Sequence, residues 1–125
     1  MIPKAIPIRD PELFRLAMRH VSAAPNPVAE SYERLEYLGD AVLGLIIAQY
    51  LYENHPDWDQ GIMSKARSSV VQEITLCDAA QRIGLENYVE LSANEEAMGG
   101  RLRPAVLCDV FEAVIGAIYL ESGFE

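Results

Sequence analysis

Basic side chains are scarce in this sequence: ten lysines and arginines stand against nineteen aspartates and glutamates, a formal net charge of −9. Phosphate contacts and counterion release supply most of a nucleic-acid binder's affinity, so this balance argues against a tight, unaided grip on a polyanion. Cysteine is nearly absent. Cys77 and Cys108 are the only two, both fall inside apolar helical patterns, and their spacing forms no pair. They read as reduced core thiols, which excludes a disulfide-stapled scaffold. The two histidines, His20 and His55, fall at helix ends. They complete neither a Cys–His set with zinc spacing nor the Glu-x-x-His pattern of a carboxylate-bridged di-iron bundle. No apolar run reaches the length of a membrane span, and the first residues lack the basic-then-apolar form of a signal peptide. The expectation is a cytoplasmic protein with no membrane partner. Repeats, low-complexity runs and strand-like alternation are missing as well, which leaves helices.

Half of the 125 residues are hydrophobic, enough for the core of one domain over residues 1–125, and the domain is small enough that a partner surface would help it. Residues 1–8 are interrupted by Pro3 and Pro7 and read as extended. Asp10-Pro11-Glu12 has the form of a helix start, and Leu13, Phe14, Leu16, Ala17 and Met18 supply a core face through about residue 21. Pro25 and Pro27 break the chain before a helix over about 31–53, which ends at Asn54-His55-Pro56-Asp57. A further helix begins near Gly61, carries the basic pair Lys65 and Arg67, and continues to a stop at Gly84. Ser92 and Glu95 have capping-box spacing for a short helix over 95–98. Pro104 opens a last helix that runs to Gly123. An all-α bundle of about six or seven helices follows.

Two of these helices carry acids where apolar residues dominate. At about 100° per residue, Glu33, Glu36 and Asp40 fall within roughly 60° on one face. Beyond them, from 41 to 51, only Gln49 and the Tyr50 hydroxyl are polar, so this helix is expected in the middle of its domain. Taken alone, the stripe is equally explained by Glu33 pairing with an arginine and Asp40 capping a neighbouring segment. The last helix shifts that balance. Its only charges between Pro104 and Leu120 are Asp109 and Glu112, and neither has a basic neighbour one turn away. If the two helices pack face to face, four or five carboxylates converge. Like charges at about 4 Å repel by roughly 4 kcal/mol per pair at an effective dielectric near 20. A hard divalent cation relieves that repulsion. All-oxygen ligation suits Mg²⁺ or Mn²⁺, poised for phosphoryl chemistry, with Glu36, Asp40, Asp109 and Glu112 as ligands.

At this point the residues carry a resemblance. Glu33-Arg34-Leu35-Glu36-Tyr37-Leu38-Gly39-Asp40-Ala41 resembles the signature of the ribonuclease III family, the double-stranded-RNA endonucleases. The similarity continues in order through Gly61-Ile62-Met63-Ser64, Gly99-Gly100-Arg101 and Asp109-Val110-Phe111-Glu112-Ala113-Val114-Ile115-Gly116-Ala117. The resemblance implies a ribonuclease III-like helical domain in which Glu36, Asp40, Asp109 and Glu112 are the metal-binding acids, with Asp40 and Glu112 in the positions called catalytic. It implies that Glu33 is an interface or structural acid. Gln60 is a departure, at a position where the family often has Glu.

The resemblance further implies a homodimer that cuts double-stranded RNA, leaving 5′-phosphate and 3′-hydroxyl ends, with a role in RNA processing. Recognition would rest on A-form shape and phosphate contacts. The family commonly adds a basic double-stranded-RNA-binding domain after the nuclease domain, absent from this sequence, and the expectation is a fragment of a longer enzyme. For RNA contacts the candidates are Lys65, Arg67, Arg101 and Arg103. For Lys65 and Arg67 a solvated face is the favoured reading over a phosphate contact, whereas the arginines after Gly99-Gly100 read equally as a turn that neutralises acids and as a phosphate cradle. Two other classes stay open: a non-catalytic scaffold of the same fold, and a metal-dependent hydrolase of small phosphate esters.

Overall fold

The computed structural model describes residues 2–123; Met1, Phe124 and Glu125, the ends of the assigned domain, lie outside the described residues. Helices start where the sequence offers a cap. Asp10 accepts the Glu12 N–H at 3.0 Å and opens α1 (Pro11–Met18). This helix stops three residues short of the expected residue 21, because the backbone beyond it finds other partners. His20 N–H donates to the Glu90 carbonyl at 3.0 Å, Glu90 N–H to Met18 at 2.9 Å, and Tyr32 N–H to Arg19 at 2.9 Å. A 3₁₀ turn (Val21–Ala23) and the short α2 (Pro27–Glu30) follow. The buried Ser31 then donates its hydroxyl to the Pro27 carbonyl and accepts the Glu33 N–H, closing α2 and opening α3 (Glu33–Asn54).

Asp59 caps α4 (Gln60–Val70) by accepting the Ile62 N–H at 2.9 Å. The single helix expected from 61 to 83 breaks at Val71 and Gln72 and resumes as α5 (Glu73–Arg82), which Gly84 ends at φ 75°. A 3₁₀ turn (Leu85–Asn87) leads to α6 (Ala93–Ala97), where Ser92 accepts the Glu95 N–H at 3.1 Å, two residues upstream of the expected start. A second glycine with positive φ, Gly99, and the 3₁₀ turn Gly100–Leu102 deliver the chain to α7 (Pro104–Ser122). Seven α-helices and no strand occur among the described residues, and no helix there is long and apolar enough to cross a membrane.

The central helix is α7. Val106, Leu107, Val110, Ala113, Val114 and Ala117 are buried, and α1, α3 and α5 surround it. The N-terminal stretch is not extended: Ile6 N–H donates to Pro3, and the resulting turn drops Ile6 and Ile8 into the core. The expectation for α3 fails in an informative way. Of its 22 residues only Leu35, Gly39, Val42 and Leu51 are buried. Ile46 and Tyr50 continue the Leu35–Gly39–Val42 stripe at helical spacing, yet they are exposed, because α7 covers only the first part of that face.

Glycine sets how closely α3 and α7 approach. A Cβ on Gly39 would lie 1.7 Å from the Glu112 carbonyl oxygen, and one on Gly116 2.4 Å from that of Leu35. Both obstacles are backbone, so no side-chain rotation relieves them. By contrast, a Cβ on Gly44 meets nothing within 4 Å. Replacing an interior helical glycine by alanine favours the helix by about 1 kcal/mol, whereas overpacking costs roughly 1–3 kcal/mol or more. Gly39→Ala and Gly116→Ala are therefore expected to destabilise the domain by about 2 kcal/mol or more, and Gly44→Ala to be neutral or slightly stabilising. Urea unfolding of the three variants checks this, and equal effects at all three positions would count against the crossing as the constraint.

Candidate active site

The glycine crossing sets one acid of α3 against one of α7, twice. Glu36 shares a side-chain hydrogen bond with Asp109, and Asp40 shares one with Glu112. Glu112 is the most deeply placed, at 8 % exposure, while Asp40 is exposed. Glu33, Glu36, Tyr37, Asp40 and Glu112 line one open pocket, so the cluster reaches solvent. Glu33 is itself exposed and stands at the rim.

Burial pushes Glu36 and Glu112 up from 4.5 to about 8, reinforced by the hydrogen bonds to Asp109 and Asp40 and by the neighbouring negative charges. Burial also raises Asp109, while the hydrogen bond from Glu36 opposes that rise. Burial and crowding thus favour the protonated form of Glu36 and of Glu112. The sixth group is a thiol: Cys108 Sγ lies 3.9 Å from Glu112 Oε1, and burial followed by the surrounding carboxylates pushes it up to about 12. Cys108 Sγ and carboxylate oxygens of Asp109 and Glu112 lie within 4.8 Å of one another, a grouping able to hold a metal ion.

Three neighbours of the cluster were not singled out from the sequence. Tyr32 is 97 % buried by the complement of its 3 % exposure, and its hydroxyl hydrogen-bonds Asp109. Burial and nearby carboxylates raise its own pKa. His20 packs edge-on against Tyr32 at 5.9 Å between ring centroids, and its charge favours the ionised form of Asp109. Glu73, in the first turn of α5, adds negative charge near Asp109 and Cys108. Tyr32 and Glu73 sit on no acid pattern, and His20 has no partner at ligand spacing; only the fold brings them in.

The four basic candidates separate into two groups. Arg67 makes no ion pair among the described residues and lines a groove with Asp40, Ala41, Gly44 and Ser68, beside the acid cluster. Lys65 is exposed on the same helix. Arg101 and Arg103 are already engaged. The Arg101 Nε donates to Glu96 at 2.9 Å and its Nη1 to the Glu86 carbonyl at 2.7 Å, and Arg103 pairs with Glu95. They neutralise acids, as the turn reading has it, though those of α6 rather than those of α7.

A family model described as Ribonuclease-III-like matches residues 10–125. Ribonuclease 3 of Heliobacterium modesticaldum is 46 % identical over 115 residues, 90 % of this chain and 49 % of that protein. Ribonuclease 3 of Thermobifida fusca is 43 % identical over 116 residues, 92 % of this chain and 48 % of that one. The chain thus spans about half the length of the curated relatives it matches. Among solved structures, the nuclease domain of ribonuclease III from Campylobacter jejuni, described with a region involved in dimer formation, matches with TM-score 0.88 and 38 % identity over 93 % of this chain and 79 % of that one. Dicer from Pichia stipitis matches with TM-score 0.74 and 26 % identity over all of this chain and 53 % of that one. With its helical fold and nearly its whole length matched, the chain belongs to the ribonuclease-III-like family.

Proposed function

We propose that residues 1–125 form the Mg²⁺-dependent endonuclease domain of a ribonuclease III, hydrolysing phosphodiester bonds of double-stranded RNA in RNA processing in the cytoplasm. The observation that carries this reading is the pairing of Glu36 with Asp109 and of Asp40 with Glu112 at the foot of an open pocket. The donor set fits a hard divalent cation: all four groups offer carboxylate oxygen, and two retain protons that a cation would displace. Glu36, Asp40, Asp109 and Glu112 would hold Mg²⁺ (or Mn²⁺). When bound, such an ion neutralises charge on a phosphodiester and activates water. Asp40 and Glu112 both line the pocket and fit the catalytic positions, and the exposed Glu33 fits a rim acid. Arg67, unpaired beside Asp40, fits a phosphate contact, with Lys65 more distant and Arg101 and Arg103 contributing only if they leave Glu96 and Glu95. In the hydrolysis, water oxygen joins phosphorus and the 3′ oxygen leaves with a proton, giving 5′-phosphate and 3′-hydroxyl ends. An open pocket suits a polymer running past it better than a small phosphate ester, which is held by enclosure.

A homodimer is part of the proposal. Leu45, Ile46, Tyr50, Tyr52 and Ile62 are exposed, apolar side chains of the kind that mark a partner surface. The similar nuclease domain from C. jejuni is described as dimer-forming. Ile46→Asp combined with Tyr50→Asp is expected to halve the mass seen in sedimentation equilibrium while keeping the helical circular dichroism. An unchanged mass would move the interface elsewhere.

The proton-holding glutamic acids give stability a pH dependence with a definite sign. Between about 4.5 and about 8 the unfolded chain releases protons that folded Glu36 and Glu112 keep. In chelator, stability is therefore greatest below that window and falls as pH rises through it. Glu96, held low by Arg101, and Glu121, held low by the Arg9 and Asp10 N–H groups, act below pH 4.5 and leave the window alone. The expected result is a melting temperature in chelator that falls from pH 5 to pH 8.5, a fall that Mg²⁺ reduces and Glu112→Gln weakens. A flat profile contradicts the crowding.

For activity, the chain is incubated with a long RNA duplex at low salt. Cleavage to short fragments is expected with Mg²⁺, none in chelator, and a loss of at least about a hundredfold for Glu112→Gln and Asp40→Asn, as for removal of one electrostatic stabiliser. Cleavage that survives chelation or either substitution overturns the assignment. If the folded chain does not cut, the assay is repeated with a double-stranded-RNA-binding domain fused after residue 125, and continued inactivity there rejects the nuclease reading.

A further inference from the structure

The acid cluster contains one donor that an all-oxygen site does not use. Cys108 lies one turn before Glu112 on α7, next to Asp109, and its thiol is directed at Glu112 Oε1 from 3.9 Å. Cys108 and Glu112 are both deeply placed, at 9 % and 8 % exposure, and with Asp109 they bring a sulfur and two carboxylate oxygens within 4.8 Å of one another. The charges acting on the sulfur are Glu112, Asp109, Glu73 and Glu36, all negative. A thiol so surrounded is a poor nucleophile and slow to oxidise, because both reactions need the thiolate. As a ligand it is different, since a divalent cation supplies the positive charge that the protein withholds.

One sulfur and two carboxylate oxygens are the donors of borderline and soft divalent ions in four-coordinate geometry, and Mg²⁺ does not take sulfur. With metal–sulfur and metal–oxygen distances near 2.3 and 2.1 Å, donors in a tetrahedral site lie about 3.4–3.6 Å apart, a contraction that side-chain rotations supply. We infer that Cys108, Asp109 and Glu112 form a second coordination mode for a thiophilic divalent cation such as Zn²⁺ or Cd²⁺, which competes with oxygen-ligated Mg²⁺ for Asp109 and Glu112. Binding releases the thiol proton to solvent and forms a metal–sulfur bond, with no oxidation or reduction. Of the three donors, Glu112 lines the open pocket. The sulfur-containing site stands on geometry alone; the competition rests on the proposed function.

The test uses Cd²⁺ as probe on the whole chain, with no competing thiol present. A thiolate-to-metal absorption band is expected, together with a cadmium NMR shift of the native chain that reports one sulfur among oxygens. Cys108→Ala and Cys108→Ser remove the band and weaken Cd²⁺ binding by at least about tenfold, the smallest loss typical of disturbing a metal site. Cys77→Ala keeps the band, and added Mg²⁺ raises the Cd²⁺ concentration needed for half-saturation. An all-oxygen NMR shift, no band, or a band that follows Cys77 overturns the inference. A Cys108-dependent band in a chain whose melting temperature Mg²⁺ does not shift leaves the thiol site standing and removes the Mg²⁺ assignment. A Mg²⁺ shift without the band does the reverse.

Discussion

Where α3 and α7 cross, Gly39 and Gly116 bring backbone against backbone. Side chains at a helix contact ordinarily hold the axes 8–10 Å apart; here both helices present no side chain at the closest point, and each glycine faces the other helix's carbonyl. The acids lie immediately beside this point. Asp40 follows Gly39, and Glu112 precedes Gly116 by one turn, so the distance between the carboxylates is set by two missing Cβ atoms. An interior helical glycine costs about 1 kcal/mol relative to alanine. The helices tolerate that twice because α7 is buried on nearly every side by α1, α3 and α5.

That burial makes the charges costly as well as close. A carboxylate removed from water needs a partner, and among the described residues no ion pair reaches Glu36, Asp40, Asp109 or Glu112. The protein answers with protons: Glu36 and Glu112 hold theirs well above the ordinary range, each sharing a hydrogen bond with an aspartate of the other helix. A cluster neutralised by protons is one a metal ion can occupy by exchange. Arg101 and Arg103 are committed to Glu96 and Glu95, and Arg67, in the groove beside Asp40, makes no ion pair with the cluster among the described residues.

Local signals in the sequence were legible because they act over a few residues. Asp10 and Ser92 cap the helices they precede, and Gly84 and Gly99 turn the chain at positive φ. The four acids were legible too, since their helical spacing and lack of basic neighbours are properties of one helix at a time. What covers a face is not. The breadth of apolar residues on α3 reads as centrality, yet α7 holds the centre and α3 keeps Ile46 and Tyr50 exposed. The end of α1 at Met18 depends on Glu90, far along the chain, and the break at Val71 and Gln72 has no proline or glycine to announce it. Cys108 has the pattern of a core residue; only the direction of its sulfur toward Glu112 separates it from one.

The uncovered part of α3 and the acid pair lie on one rigid element, which ties two requirements together. Leu35, Gly39, Val42, Ile46 and Tyr50 form a single stripe at spacings of three and four, and α7 covers its first half. A second copy related by a twofold axis and laid on the second half would place its own α3, and its own acids, at a distance fixed by helix length alone. Each acid pair would remain open to solvent, because Glu33, Glu36 and Asp40, which line the pocket with Glu112, lie roughly 100° round the helix from the stripe. On the proposed function, two such sites spaced along a duplex would measure shape and length without reading a base, and the net charge of −9 leaves the chain little electrostatic attraction of its own for a polyanion.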